Sequence, residues 1–153
     1  MTYTIKVLWE KKSHELFTDN KYSRAHYWFF DGGVEISASA SPQVVPLPMA
    51  DESAVDPEEA FVASLSSCHM LFFLSIAAAN KFTVEKYEDF AEGIMSKNED
   101  GKLAMTVINL KPEVTFSGEP IPTAEQISKF HKLAHDKCYI ANSVRSVINI
   151  IGS

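Results

Sequence analysis

The segment from Asp56 to Asn80 constrains the fold more than any other part of the sequence. Asp56 is placed as a helix N-cap, Pro57 takes the first helical position, and Glu59 completes a capping box. The segment predicts a helix of about 23 residues, or about 35 Å, with few polar residues after Cys68. A helix this long and apolar is more than one small sheet can bury, so we expect a second subunit to cover part of it.

Shorter elements surround this helix in the order β-β-β-α-β-β-α-β, which predicts one α+β domain over residues 1–153. A second helix is capped by Thr123 with Gln126 and ends at Cys138. The proline-rich segment 41–48 is expected to be an extended connector. The predicted strands are 2–10, 26–30, 34–40, 82–95, 103–116 and 144–151. Asp31, Gly32 and Gly33 predict a hairpin turn between the second and the third of them.

Charge and hydropathy argue against two kinds of partner. The net charge is −6, whereas a nucleic-acid surface is normally basic. The most apolar stretch, 70–79, is shorter than the roughly 20 residues that span a bilayer, so we expect a buried core helix and no membrane. The first residues lack the basic and apolar regions of a signal peptide. We therefore expect a cytoplasmic protein, in which a disulfide would cycle rather than serve as a permanent crosslink.

Cys68 and Cys138 are the only cysteines, and each falls on a different predicted helix. A buried cysteine usually acts as a small hydrophobe, but two cysteines on two core elements also fit a redox pair. The residues alone leave both interpretations open. Helical spacing places Cys68 on one face with four apolar residues, Phe61, Leu65, Phe72 and Ile76.

A reactive cysteine needs a nearby cation, because the thiolate is the nucleophile. Arg24, just before a predicted strand, is the candidate, and Glu58 or Glu59 could orient it through a bidentate pair. The arginine could equally be a surface residue, and the two acids could simply favour the helix N-terminus. Because Glu58 and Cys68 would lie about 15 Å apart on one helix, a site that contains both is expected to draw on two chains.

The histidines suggest other chemistry. His131, His135 and Cys138 are spaced i, i+4 and i+7, a spacing that can present metal ligands, although no second CxxC or HxxxH pair occurs. His69 follows Cys68, but neighbours on a helix point about 100° apart, which argues against a Cys–His hydrolase pair. The favoured interpretation therefore has no metal and no cofactor.

The run from Asp56 to Cys68, with Cys138 late in the chain, resembles the OsmC/Ohr family of osmotically inducible and organic-hydroperoxide-resistance proteins. The N-terminal run 22–33, leading into 38–42, is more similar to the OsmC-like branch. The resemblance covers essentially the whole chain. It implies an OsmC-like α+β fold, with antiparallel sheets wrapped around two long central helices in an intertwined homodimer.

The resemblance also implies a function, the thiol-dependent reduction of hydroperoxides, with organic hydroperoxides preferred over hydrogen peroxide. By motif position, Cys68 matches the peroxidatic cysteine and Cys138 the resolving one, while Glu58 matches a glutamate that orients an arginine, here Arg24. A lipoyl-type dithiol or a small thiol would then reduce the disulfide. Family members often place proline after the second cysteine, where this chain has Tyr139.

Two other classes of function fit the same residues. A non-catalytic OsmC-like protein, acting in stress or binding a small ligand, would use both thiols only for packing, and they would react slowly with peroxide. A metalloprotein would instead use His131, His135 and Cys138.

Overall fold

The computed structural model describes residues 1–152, and the chain divides into two compact units, Met1–Ala60 and Phe61–Ser153. The first unit contains a three-stranded antiparallel sheet in the order β1-β2-β3. The predicted hairpin between the second and third strands is confirmed, and Gly33 at its turn has φ of 87°, which favours glycine. The strands are β1 (Ile5–Leu8), β2 (His26–Phe30) and β3 (Glu35–Ala38).

The proline-rich segment 41–48 is not the extended connector that we expected. It folds into two successive turns, in which the N–H of Val44 donates to the Ser41 carbonyl at 2.9 Å and the N–H of Met49 donates to the Pro46 carbonyl at 3.2 Å. The first turn is favoured because Pro42 has the φ that a turn requires after its first residue. The hydroxyl of Ser41 also accepts the N–H of Gln43 at 3.2 Å.

The long helix, α1, runs from Pro57 to Ala79, which confirms the prediction to within one residue. Its capping box is formed as expected: Asp56 Oδ1 accepts the N–H of Glu59 at 2.8 Å, and Glu59 Oε2 accepts the N–H of Asp56 at 3.3 Å. The helix stops where Lys81 takes a left-handed φ of 66°, because that conformation cannot continue a right-handed helix.

The two long strands predicted over 82–95 and 103–116 are each divided in two. The halves belong to different sheets: one pairs β4 with β7, and the other has the order β5-β6-β8. Asp89 stabilises the crossing point, because its Oδ1 accepts the N–H of Lys111 at 2.6 Å. The strands are β4 (Thr83–Asp89), β5 (Glu92–Lys97), β6 (Leu103–Leu110), β7 (Pro112–Ser117) and β8 (Val147–Ile150).

The second helix, α2, spans Ala124–Lys137 and has the predicted capping box between Thr123 and Gln126, with Cys138 as its C-cap. The last strand, β8, pairs with β6 in parallel rather than antiparallel fashion. The element order is therefore β-β-β-α-β-β-β-β-α-β, and the predicted α+β class is confirmed.

Within the second unit, α1 contacts two hydrophobic clusters. Its first part packs Leu65 against Ile108 and Leu110 of β6. Its last part packs Phe73 against Phe130 of α2, together with side chains from β4 and β7. Within the second unit the same helix therefore connects the β5-β6-β8 sheet to α2.

Much of α1 remains uncovered in the single chain. Only five of its residues are buried (Leu65, His69, Phe73, Ile76 and Ala77), and Leu71 is 63% exposed. By length and apolar composition α1 would also be long enough to cross a membrane, unlike the shorter stretch that we considered from the sequence. Its buried stripe packs against strands and α2, as in the core helix of a globular fold.

Candidate active site

The second unit brings the two cysteines together. Cys68 lies in the middle of α1 and is half-buried, whereas Cys138, at the C-cap of α2, is 1% exposed. Both are free thiols. The sulfur of Cys138 accepts the N–H of Ala141 at 3.4 Å, and it also interacts with the thiol of Cys68.

The environment distinguishes the two thiols. Burial, followed by the adjoining Cys68 thiol, raises the pKa of Cys138 to about 11, although the N–H of Ala141 acts in the opposite direction. Cys138 therefore remains protonated at neutral pH. Cys68 is the thiol of this pair that solvent can reach.

Cys68 does not lie on the buried face that we predicted from helical spacing. The buried stripe of α1 runs through Leu65, His69, Phe73 and Ile76, and Cys68 stands beside it on the flank. The residues of this stripe are three or four positions apart, and so are the residues of the face that we predicted. Helical periodicity alone therefore did not distinguish the buried face from the neighbouring one. The result is a thiol that borders the core without being sealed in it.

Two aromatic rings lie next to the cysteine pair. Phe72, one turn after Cys68, packs edge-on against Tyr139 with 5.1 Å between ring centroids. Tyr139 is 70% exposed and directly follows Cys138. This aromatic contact gives the surroundings of the thiols an apolar wall.

A pair of buried histidines joins the same two helices. His69 Nε2 and His131 Nδ1 are 3.0 Å apart, the two rings are within 6° of parallel, and the side chains are 1% and 2% exposed. Burial, with a smaller contribution from His135, lowers the pKa of His69 to about 4. Burial, followed by His69, lowers the pKa of His131 to about 4. Both imidazoles are therefore neutral at pH 7.

Sequence reasoning missed this pair because its members are 62 positions apart. His131 places Nδ1 3.0 Å from Nε2 of His69. Among residues 1–152 no group of three or more His, Cys, Asp or Glu side chains is arranged to hold a metal ion, so the i, i+4, i+7 spacing of His131, His135 and Cys138 does not bring such a group together.

An acidic residue anchors α1 beside the thiols. Asp89 accepts a hydrogen bond from the hydroxyl of Ser66, two residues before Cys68. The nearby Tyr87 hydroxyl is buried without a hydrogen-bond partner within residues 1–152. Burial and then Asp89 raise the pKa of Tyr87, so this hydroxyl stays protonated. Neither residue was singled out from the sequence.

Arg24 and Glu58 both belong to the first unit. The guanidinium of Arg24 stacks over the Tyr22 ring at 3.6 Å and donates to the Tyr22 carbonyl. It also donates to the Asn20 carbonyl at 3.2 Å and to Asn20 Oδ1 at 2.9 Å. Backbone and ring contacts therefore hold this cation close to its own loop.

Glu58 is the half-buried second residue of α1. Its neighbour Glu59 is occupied by the capping box. The ion pairs within residues 1–152 are Lys86–Glu88 and Lys111–Glu92, and Glu58 and Arg24 are thus not paired in the single chain.

Comparison with known proteins gives a consistent picture. The family model described as OsmC-like protein matches residues 50–151. A solved structure of an OsmC-like protein of unknown function from Vibrio cholerae is 55% identical, with a TM-score of 0.97, and the match covers 98% of this chain and 97% of that one. None of the curated proteins matches the sequence.

More distant structures share the fold. An OsmC-like protein from Mycoplasma pneumoniae is 20% identical with a TM-score of 0.72, over 98% of this chain and 94% of that one. An organic hydroperoxide resistance protein from Elizabethkingia anophelis is 18% identical with a TM-score of 0.65, over 98% and 94%. At these identities the likeness concerns the fold alone.

Proposed function

Because the chain belongs to the OsmC/Ohr family, we propose that it is a thiol peroxidase that reduces organic hydroperoxides to alcohols. The observation that carries the proposal is the Cys68–Cys138 pair. Its two thiols are neighbours, one is half-exposed and the other is buried and protonated. That asymmetry suits an attacking and a resolving cysteine.

In the first step, the Cys68 thiolate attacks the distal oxygen of the hydroperoxide and the O–O bond breaks. Cys68 becomes a sulfenic acid, and the leaving alkoxide takes up a proton to become an alcohol. The apolar wall of Phe72 and Tyr139 favours a substrate with an organic group over hydrogen peroxide.

In the second step, Cys138 attacks the sulfur of the sulfenic acid. An S–S bond forms, and the sulfenic oxygen leaves as water with the proton of Cys138. The negative charge of a Cys68 thiolate is one of the causes that raise the pKa of Cys138. This cause disappears once Cys68 is oxidised, so Cys138 becomes easier to ionise when it is needed.

The cycle closes when an external dithiol reduces the Cys68–Cys138 disulfide by thiol–disulfide exchange and is itself oxidised. A lipoyl-type dithiol or a small thiol has the required chemistry. We place this cycle in the cytoplasm, because a reducing compartment keeps such donors available.

Arg24 and Glu58 complete the proposed site from a second copy of the chain. Glu58 would orient the guanidinium, which would stabilise charge on the leaving oxygen. The exposed apolar residues of α1 and β1, with Leu71 at 63% and Val7 at 61% exposure, support a homodimer that covers them. In this arrangement Arg24 exchanges its contacts with Asn20 and Tyr22 for Glu58.

Replacing Arg24 by glutamine should lower kcat/KM for cumene hydroperoxide by about 100-fold, as expected for the loss of one charged group that stabilises the transition state. The Arg24→Lys variant keeps the charge but not the bidentate fork, and we expect intermediate activity. Single-turnover kinetics of Cys68 oxidation would measure both. Equal rates in the glutamine variant and the unmodified protein would remove Arg24 from the site.

Mixed dimers test whether the site spans two chains. Co-expression of the Cys68→Ser chain with the Arg24→Gln chain should restore one working site per mixed dimer. Co-expression of Cys68→Ser with Cys138→Ser is the matched control and should restore no turnover, because the structure places these two residues together in one chain. Absence of complementation in the first pair would contradict a two-chain site.

The proposed function is tested by the intact mass of the reduced protein after a stoichiometric pulse of cumene hydroperoxide. We expect the loss of two hydrogens per chain and a disulfide that maps to Cys68 and Cys138. An unchanged mass would mean that both thiols are packing residues, and the protein would then be a non-catalytic member of the family that binds a small ligand or acts in stress.

A further inference from the structure

The buried histidines connect the two helices that carry the cysteines. His69 immediately follows Cys68 on α1, and His131 lies on α2, which ends at Cys138. The hydrogen bond between them is 3.0 Å long and excluded from solvent. Phe73 packs on the ring of His131, with 4.3 Å between centroids. The pair is therefore a polar link between α1 and α2 within an apolar cluster.

We propose that His69 and His131 are a positioning pair, whose hydrogen bond holds α1 against α2 in the arrangement in which Cys68 and Cys138 can join. This inference rests on the proposed function, because it treats the two thiols as partners in a disulfide. A buried polar link costs desolvation of both rings unless its geometry is kept. Its preferred geometry is thus narrower than that of the surrounding apolar contacts, which can slide.

Acid is expected to break the hydrogen bond between His69 and His131. One neutral imidazole donates and the other accepts, whereas protonation of the acceptor nitrogen leaves two N–H groups facing each other. The titratable groups that face the pair are His135 on α2, which lowers the pKa of His69, and Asp89 at the end of β4, which raises it. The hydroxyl of Tyr87 on β4 stays protonated and carries no charge.

The pH range follows from the direction of the shifts. Both pKa values fall from 6.5 in the unfolded chain to about 4 in the folded protein, so folding favours the neutral rings. The stabilisation that they contribute is complete above pH 6.5 and is lost as the pH falls towards about 4. In the folded protein the two rings stay neutral and keep their hydrogen bond until the pH approaches about 4, so we expect Cys68–Cys138 closure to weaken only there.

The test is the equilibrium between the Cys68–Cys138 dithiol and a buffer of reduced and oxidised dithiothreitol, followed by intact mass after acid quenching. This exchange replaces two thiols by two thiols, so it consumes no net protons. A selenol catalyst keeps it at equilibrium below neutral pH, where thiolates are scarce. The full-length protein is used between pH 7.5 and pH 3.5, with circular dichroism at each pH to establish that it is folded.

Three variants separate the possible results. His131→Ala removes the link and should weaken disulfide closure at pH 7 by about tenfold, the factor that corresponds to one buried hydrogen bond. His131→Asn places an amide near the position of Nδ1, so we expect closure like that of the unmodified protein at pH 7. Because the amide does not titrate, His131→Asn should also lose the acid dependence. In the reciprocal variant, His69→Gln, the side-chain amide takes the position of Nε2 of His69.

Phe130→Leu is the control for a general loss of stability, because it loosens the packing of α2 without removing either histidine. If Phe130→Leu weakened disulfide closure as much as His131→Ala does, the proposal would be overturned. So would unchanged closure in His131→Ala, or an unaltered acid dependence in His131→Asn. The exchange uses no peroxide, so a protein that closes its disulfide here but ignores cumene hydroperoxide would contradict the proposed function and leave the positioning pair intact.

Discussion

Peroxide reduction is expected to fall by about three orders of magnitude or more when Cys68 is replaced by serine, as is typical when a nucleophile is removed. A serine hydroxyl stays protonated at neutral pH and does not form the sulfenic acid on which the cycle depends. Consumption of cumene hydroperoxide with excess dithiothreitol measures the effect. Turnover equal to that of the unmodified protein would contradict the mechanism.

Cys138→Ser is the informative companion to that variant. It keeps the attacking thiol, so one equivalent of alcohol should form in a single burst. The reaction should then stop at the Cys68 sulfenic acid, which dimedone would trap as an adduct on that residue. Multiple turnovers with a dithiol alone would show that Cys138 is not needed for resolution. Because Cys138 is buried, the replacement also has to be checked for folding by circular dichroism.

Phe73→Ala should give the largest loss of stability among single side-chain truncations. Phe73 is fully buried, and its ring meets those of Tyr87, Phe130 and His131 at centroid distances of 5.5, 6.2 and 4.3 Å. Truncating a phenylalanine in such a cluster costs about 3–5 kcal/mol, a large share of the about 5–15 kcal/mol that stabilises a typical domain. Urea unfolding at a fixed protein concentration measures it.

Phe90→Ala is the matched control, because it deletes the same side chain from a position that is 65% exposed. We expect its free energy of unfolding to change by about 0.5 kcal/mol or less. A loss below about 1 kcal/mol for Phe73→Ala would contradict the cluster described above, since a packed ring cannot be removed without leaving a cavity.

The elements whose signals are local were predicted well. Both helix starts followed from capping boxes, at Asp56 and at Thr123, because a cap is a contact between residues three positions apart. The hairpin at Gly33 followed from the backbone freedom of glycine. The strand predictions failed where a distant partner determines the pairing, as at Asp89, which binds Lys111 across the crossing point.

For the candidate site, too, the sequence identified residues but not the contacts between them. The sequence named both cysteines, Arg24 and Glu58, through a motif and its resemblance to a family. It could not place Cys68 beside Cys138, nor identify the buried stripe that turns His69 inward. These facts depend on how α1 meets α2, and no periodicity within one helix contains that information.

The amino-acid sequence by itself determined the two helices, the α+β class and the identity of the thiols, because caps, turns and helical spacing act over a few residues. Only the tertiary structure decided that the long strands divide between two sheets, that Cys138 is the buried thiol with the raised pKa, and that His69 meets His131. Each of these is set by burial and by contacts between residues far apart in the chain, where desolvation and packing outweigh local preference.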